Sequence, residues 1–154
     1  MRKLMRTFVM LATAIFSLAV AMPAAAQFAK PEDAIKYRKA VFTVMASHFG
    51  RVAAMANGKA PFDAKVAADS AEIATSMSKL PYVAFIEGTD KGDTRAKPEI
   101  WTEMDKVKGL ASKMQDEMVK FNLAAKTGNI DAIKAAVGET GKACKACHDN
   151  YRKE

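Results

Sequence analysis

The chain has two cysteines and two histidines. Both thiols and one imidazole fall in a single run, Cys144-Lys145-Ala146-Cys147-His148. Two thiols at this spacing can close a redox disulfide, supply half of a zinc site, or add to the two vinyl groups of a haem. A thioredoxin-type motif wants a strand before it and a helix starting at the first cysteine. A zinc site needs two more ligands, and the chain offers no third cysteine and one remote imidazole, His48. The third chemistry uses the whole pattern. Cys144 and Cys147 would form thioethers, and His148 would offer a ring nitrogen as axial ligand to the iron, so the expected cofactor is one haem c.

What the iron does then depends on its sixth position. An electron carrier fills it with Met or a second His, and a gas binder leaves it open. Met45 and His48 are the named candidates for a sixth ligand. Methionine is also a common filler of helical cores, and six lie between Met45 and Met118. A solvent-facing His48 is the plainer reading of that residue.

Helices must present the thiols and the imidazole together. On an α-helix residues three and four apart share a face, which groups Cys144, Cys147 and His148. Ile130, Ile133, Val137, Cys144 and Tyr151 mark the inner side of the same last helix, with Asn129 as its cap. "KPEDAIKYRKAVFTVMASHFGRVAAMANG" gives a first helix, with Pro31, Glu32 and Asp33 in its opening turn and Asn57-Gly58 at its end. Its stripe is Ile35, Phe42, Met45, Phe49 and Val52. A second helix is expected to bury Phe62, Val66, Ile73, Met77 and Leu80. Residues 81–97 read as one long connection. A third helix from Pro98 carries Trp101, Met104, Val107, Ala111, Met114, Met118, Phe121 and Ala125 at near-heptad spacing, up to Thr127-Gly128. Four amphipathic helices with almost no β-pattern predict an all-α, antiparallel four-helix bundle with one covalently bound haem.

Residues 1–26 carry the marks of a secretory signal peptide: a basic start, an uncharged apolar run, and Ala24 and Ala26 before Gln27. The run is shorter than the ~20 residues a spanning helix wants. Cleavage would leave 27–154 as one exported domain with no membrane association. Removing Arg2, Lys3 and Arg6 lowers the net charge from +7 to +4. That mild charge, without basic runs or interleaved aromatics, argues against nucleic acid. "GETGKAC" fails as a phosphate loop, because Ala136 and Ala143 stand where Gly and Ser or Thr are required. Glu99 and Glu103 read as a charged helix face.

The stretches "QFAKPEDAIKYRKAVFTVMASHFGRV", "LPYVAFIEGTDKGDTRAKPEIW" and "CKACHDNYRK" resemble the cytochromes c′, exported haem proteins of Gram-negative bacteria. The resemblance implies a periplasmic, left-handed bundle, often a homodimer through its first two helices. It implies five-coordinate iron held by His148 and a distal face occupied by Phe42. It also implies binding of NO and CO, with Arg152 beside the proximal histidine where NO is bound. Read from spacing alone, Arg152 is a solvated C-terminal charge. Arg38 matches a residue near the haem propionates, and Lys39 and Asp93 are further candidates for that haem edge. Trp101 is expected to be core. A peroxidase places a distal base and a cation over the iron, and the inward face near Phe42 offers neither, so no enzymatic activity is expected. The redox partner is left open.

Overall fold

The computed structural model describes residues 27–154, so the signal-peptide reading lies outside the described residues. Helix α1 spans Pro31–Ala56, α2 Ala64–Met77, α3 Glu99–Thr102, α4 Met104–Lys126 and α5 Ile130–Tyr151. A 3-10 turn at Pro81–Ala84 follows α2. No helix among the described residues is long and apolar enough to cross a membrane. Helices α1, α2, α4 and α5 form the antiparallel bundle. Each packs on the next, and α5 returns to α1.

The ends follow local chemistry. Pro31 opens α1, where its missing N–H costs nothing, and Glu32 and Asp33 face the positive end of the helix dipole. Asp63 caps α2 by accepting from the Val66 amide at 2.9 Å. Asn129 caps α5 by accepting from the amides of Asp131 and Ala132, both at 3.0 Å. Gly58 and Gly128 take positive φ immediately after α1 and α4, which lets each chain reverse without a Cβ clash.

The heptad of the third helical segment holds from Val107 to Ala125, all buried. The segment itself is broken, however. Glu103 leaves helical geometry, so α3 is a separate turn ahead of α4. The expected face of α2 is corrected in part: Val66 and Met77 pack against the main core as expected, and the other three do not. Phe62, Ile73 and Leu80 are about 40% exposed. The buried side is instead Ala67, Ser70, Ala71 and Ala74. Helix α2 lies between α1 and α4, and small side chains let three helix backbones approach closely. Ile73 on α2, and Phe62 and Leu80 just beyond its ends, are turned outward.

The interior divides in two. The main core joins all four long helices around Val52, Met118, Phe121 and Ile133. A second cluster of Ile100, Val107 and Tyr151, with Phe85, Ala96, Trp101 and Met104 against it, fills the end where the long loop lies.

Candidate functional site

Cys144 packs at the edge of the main core and Cys147 against the second cluster. The two thiols therefore straddle the boundary between the apolar clusters. Both are unpaired with each other. Burial raises the pKa of each thiol, so both stay protonated at neutral pH. His148 is the next residue on the same helix. Its partial burial, then the charge of Arg152, hold its pKa below the usual imidazole value. A neutral imidazole is the form that binds a metal. Nη1 of Arg152 lies 3.4 Å from Nδ1 of His148. Arg152 is thus beside the histidine rather than merely solvated.

A wall of aromatic rings faces this pair. Phe42 of α1 meets Tyr82 edge-on, with centroids 6.3 Å apart. Tyr82 stacks on Phe85 at 6.2 Å, and Phe85 contacts Trp101 at 5.9 Å. Burial, then the proximity of Cys147 and Cys144, drives the Tyr82 hydroxyl well above its ordinary pKa. Tyr82 therefore shares its pocket with both thiols. Sequence reasoning missed Tyr82 and Phe85, although two aromatics in a turn-rich connection were a signal that the loop packs inward. Trp101 is only half-buried, and its indole N–H donates to the Ile86 carbonyl at 2.9 Å.

Arg38 is 2% exposed. Its guanidinium donates to the Ala84 carbonyl, Thr89 Oγ1, the Thr89 carbonyl and Thr94 Oγ1 at 2.6–2.9 Å. It also lies 4.6 Å from the Phe85 ring centre and 5.6 Å from that of Trp101. Four of its five N–H groups are spent on the long loop, a role that the sequence did not reveal. Among the described residues no carboxylate pairs with it, so a buried positive charge is left without a counter-ion. Lys39 and Asp93 are brought together, but with each other, at 2.5 Å on the exposed surface. Met45 is buried in the main core. His48 is half-buried with Nδ1 enclosed and unpartnered, not simply solvent-facing.

Glu103 is not the free surface charge expected. The Tyr151 hydroxyl donates to its Oε2 at 2.6 Å, tying the end of α5 to the start of α4.

A helical bundle that sets two protonated thiols and a neutral imidazole between apolar clusters, opposite an aromatic wall and beside an uncompensated cation, suits a covalently held, carboxylate-bearing macrocycle. It is the architecture of a c-type haem bundle. The cytochrome c′ family model matches residues 33–152. The cytochrome c′ of Rubrivivax gelatinosus is 55% identical over 129 residues, covering 83% of this chain and 100% of that one. The Alcaligenes xylosoxydans protein is 48% identical over 128 residues, covering 83% and 99%. The crystal structure of the Rubrivivax protein aligns with TM-score 0.79 over 82% of this chain and 100% of that chain. A carbon monoxide-bound variant and a nitric oxide complex of another variant of the Alcaligenes protein each align at TM-score 0.77 and 46% identity, over 83% of this chain and 100% and 99% of theirs. The chain belongs to the cytochrome c′ family, and with that family it carries covalently attached haem c.

Proposed function

We propose that this protein is a periplasmic gas-binding haem protein, made as residues 1–26 of signal and 27–154 of haem domain. Haem iron, when bound, supplies reversible coordination of a diatomic ligand and one-electron chemistry. Cys144 and Cys147 hold the group, and His148 is the single protein ligand to its metal. The observation that carries this reading is Phe42. It is the α1 side chain in ring contact with Tyr82, the residue that shares the thiol pocket, and a phenyl ring cannot ligate iron. It also offers no hydrogen-bond donor and excludes water. A ring without a donor favours NO and CO over O₂, which is helped by a donor. The Tyr82 hydroxyl, which shares the thiol pocket, is the group that would oppose that selectivity.

Arg152 stands on the proximal side, where the family resemblance puts NO. Arg38 supplies its remaining N–H and its charge toward a carboxylate edge, and the Lys39–Asp93 pair lies nearby on the surface. Phe42 is neither the base nor the cation that a peroxidase places over its iron, which supports a reading of binding rather than catalysis. The exposed apolar side chains Val44, Phe62, Ile73 and Leu80 lie on or beside α1 and α2. They support a homodimer through that face.

The test is the visible spectrum of the reduced protein before and after CO. A broad, unsplit band that shifts on CO supports the proposal. Sharp α and β bands unmoved by CO would sink it in favour of a six-coordinate electron carrier using Met45 or His48.

A further inference from the structure

We propose that the edge where the long loop meets the end of α5 is a docking face for an acidic protein that exchanges electrons with the haem. This rests on the haem reading above and names the kind of redox partner that reading leaves open.

The edge is built from two chain segments. Ala96 and Arg152 form an antiparallel bridge. The Lys97 amide donates to the Tyr151 carbonyl at 3.0 Å, and the Lys153 amide to the Arg95 carbonyl at 2.7 Å. Side chains reinforce the join. Arg95 Nε donates to the Lys153 carbonyl at 3.0 Å, and Lys97 Nζ to the Asp149 carbonyl at 3.2 Å. Arg95, Lys97, Arg152 and Lys153 are thereby held together on a rigid frame. All but the half-buried Lys97 are exposed.

Among the described residues none of these four cations has a carboxylate within 4 Å. Unpaired cations occur elsewhere among the described residues too, Lys59 and Lys134 among them, while Lys65, Lys106, Lys120 and Lys142 each sit beside a carboxylate. What sets these four apart is that the bridge and its flanking hydrogen bonds gather them onto one edge. Asp149, the acid closest in sequence to the cluster on α5, is taken by Lys145 with both oxygens. Arg95 and Lys97 gain carbonyl hydrogen bonds from this arrangement, but like charges across paired segments repel, and that repulsion is left uncompensated in the isolated chain. An acidic surface would relieve it.

The position matters as much as the sign. Ala96 packs into the cluster that holds Cys147, and Arg152 touches His148. A partner seated on the edge therefore lies against the end of the thiol-bearing helix itself, at the residue that touches His148. Exposed charges of this kind act mainly on the rate of encounter and its salt dependence. The backbone frame is ordered beforehand, so little entropy is lost when a partner binds.

The experiment compares two double variants of the holoprotein that lose equal charge. Arg95→Gln with Lys153→Gln empties the edge. Lys59→Gln with Lys134→Gln removes charge at the opposite end of the bundle, where the α1–α2 connection meets the start of α5. The first readout is binding of a fluorescein-labelled deca-glutamate peptide by anisotropy at low salt. The second is the rate at which ferricyanide, a trianion, oxidises the reduced protein. The edge variant is expected to lose peptide affinity and ferricyanide rate several-fold, and the remote variant to keep both. Equal behaviour of the two variants in either readout overturns the proposal, because net charge would then explain the result. If peptide binding discriminates but ferricyanide fails to change the haem spectrum of any form, the haem redox reading has failed instead, and electron exchange at this edge falls with it.

Discussion

Arg152 reaches back one helical turn to place Nη1 3.4 Å from Nδ1 of His148. A guanidinium only donates hydrogen bonds. It therefore disfavours a proton on Nδ1, the nitrogen left free when Nε2 binds a metal. Most metal-bound histidines instead give that proton to an acceptor, which raises their basicity.

Arg152 is thus expected to weaken the bond from His148 to iron. Arg152→Gln puts an acceptor oxygen within reach and should strengthen it. The check is the iron–histidine stretch in the resonance Raman spectrum of the reduced protein, which should rise. An unchanged frequency would remove Arg152 from that role.

Phe42 is expected to set the speed of distal ligand entry. Phe42→Ala removes the ring that meets Tyr82 and should raise the CO association rate about tenfold or more, equivalent to about 1.4 kcal/mol of barrier. Flash photolysis measures this directly, and unchanged kinetics would place the distal barrier elsewhere.

The Tyr151–Glu103 bond predicts a stability window. The bond holds Tyr151 up to about 12. Its contribution is full below the ordinary tyrosine value of about 10 and is lost as pH rises through about 12. Glu103 is held below the usual carboxylate range by Tyr151 and then by Lys106. Its contribution is present above roughly pH 4.3 and is lost as pH falls further. Thermal melts of Tyr151→Phe should differ most from the parent between these limits and converge outside them. A constant offset at every pH would contradict the linkage.

Two truncations test the frame. Phe121 is fully buried in the main core, so Phe121→Ala should cost about 3–5 kcal/mol. Asn129→Ala should cost about 1 kcal/mol by removing the α5 cap. Denaturant melts would check both, and comparable small losses would mean that the core relaxes around the cavity.

The long helices were legible because their signals are local. The stripe of α1, the heptad of α4 and the caps at Asn57-Gly58 and Asn129 follow from sequence spacing alone. The cluster of Cys144, Cys147 and His148 was legible for the same reason, since three residues within one turn need no tertiary knowledge. Val66 and Met77 do reach the core, but the face of α2 was misread in part, at Phe62, Ile73 and Leu80, because hydrophobicity was taken as a guide to burial. Between the helices, where small side chains let the backbones approach closely, alanine and serine go inside. The aromatic wall and the loop hydrogen bonds were invisible because they join residues such as Arg38 and Thr89, fifty-one positions apart. Nothing in either stretch specifies the other.

The four hydrogen bonds from Arg38 also change what the long connection is. Thr89 is fully buried, and its turn is closed by the guanidinium of a helix that ended some thirty residues earlier. Thermodynamically the segment from Ala84 to Thr94 is then less a loop than an outlying part of α1, opening when that helix opens. Its amides should exchange with solvent on the slow timescale of α1, and in Arg38→Ala they should exchange as freely as a surface turn.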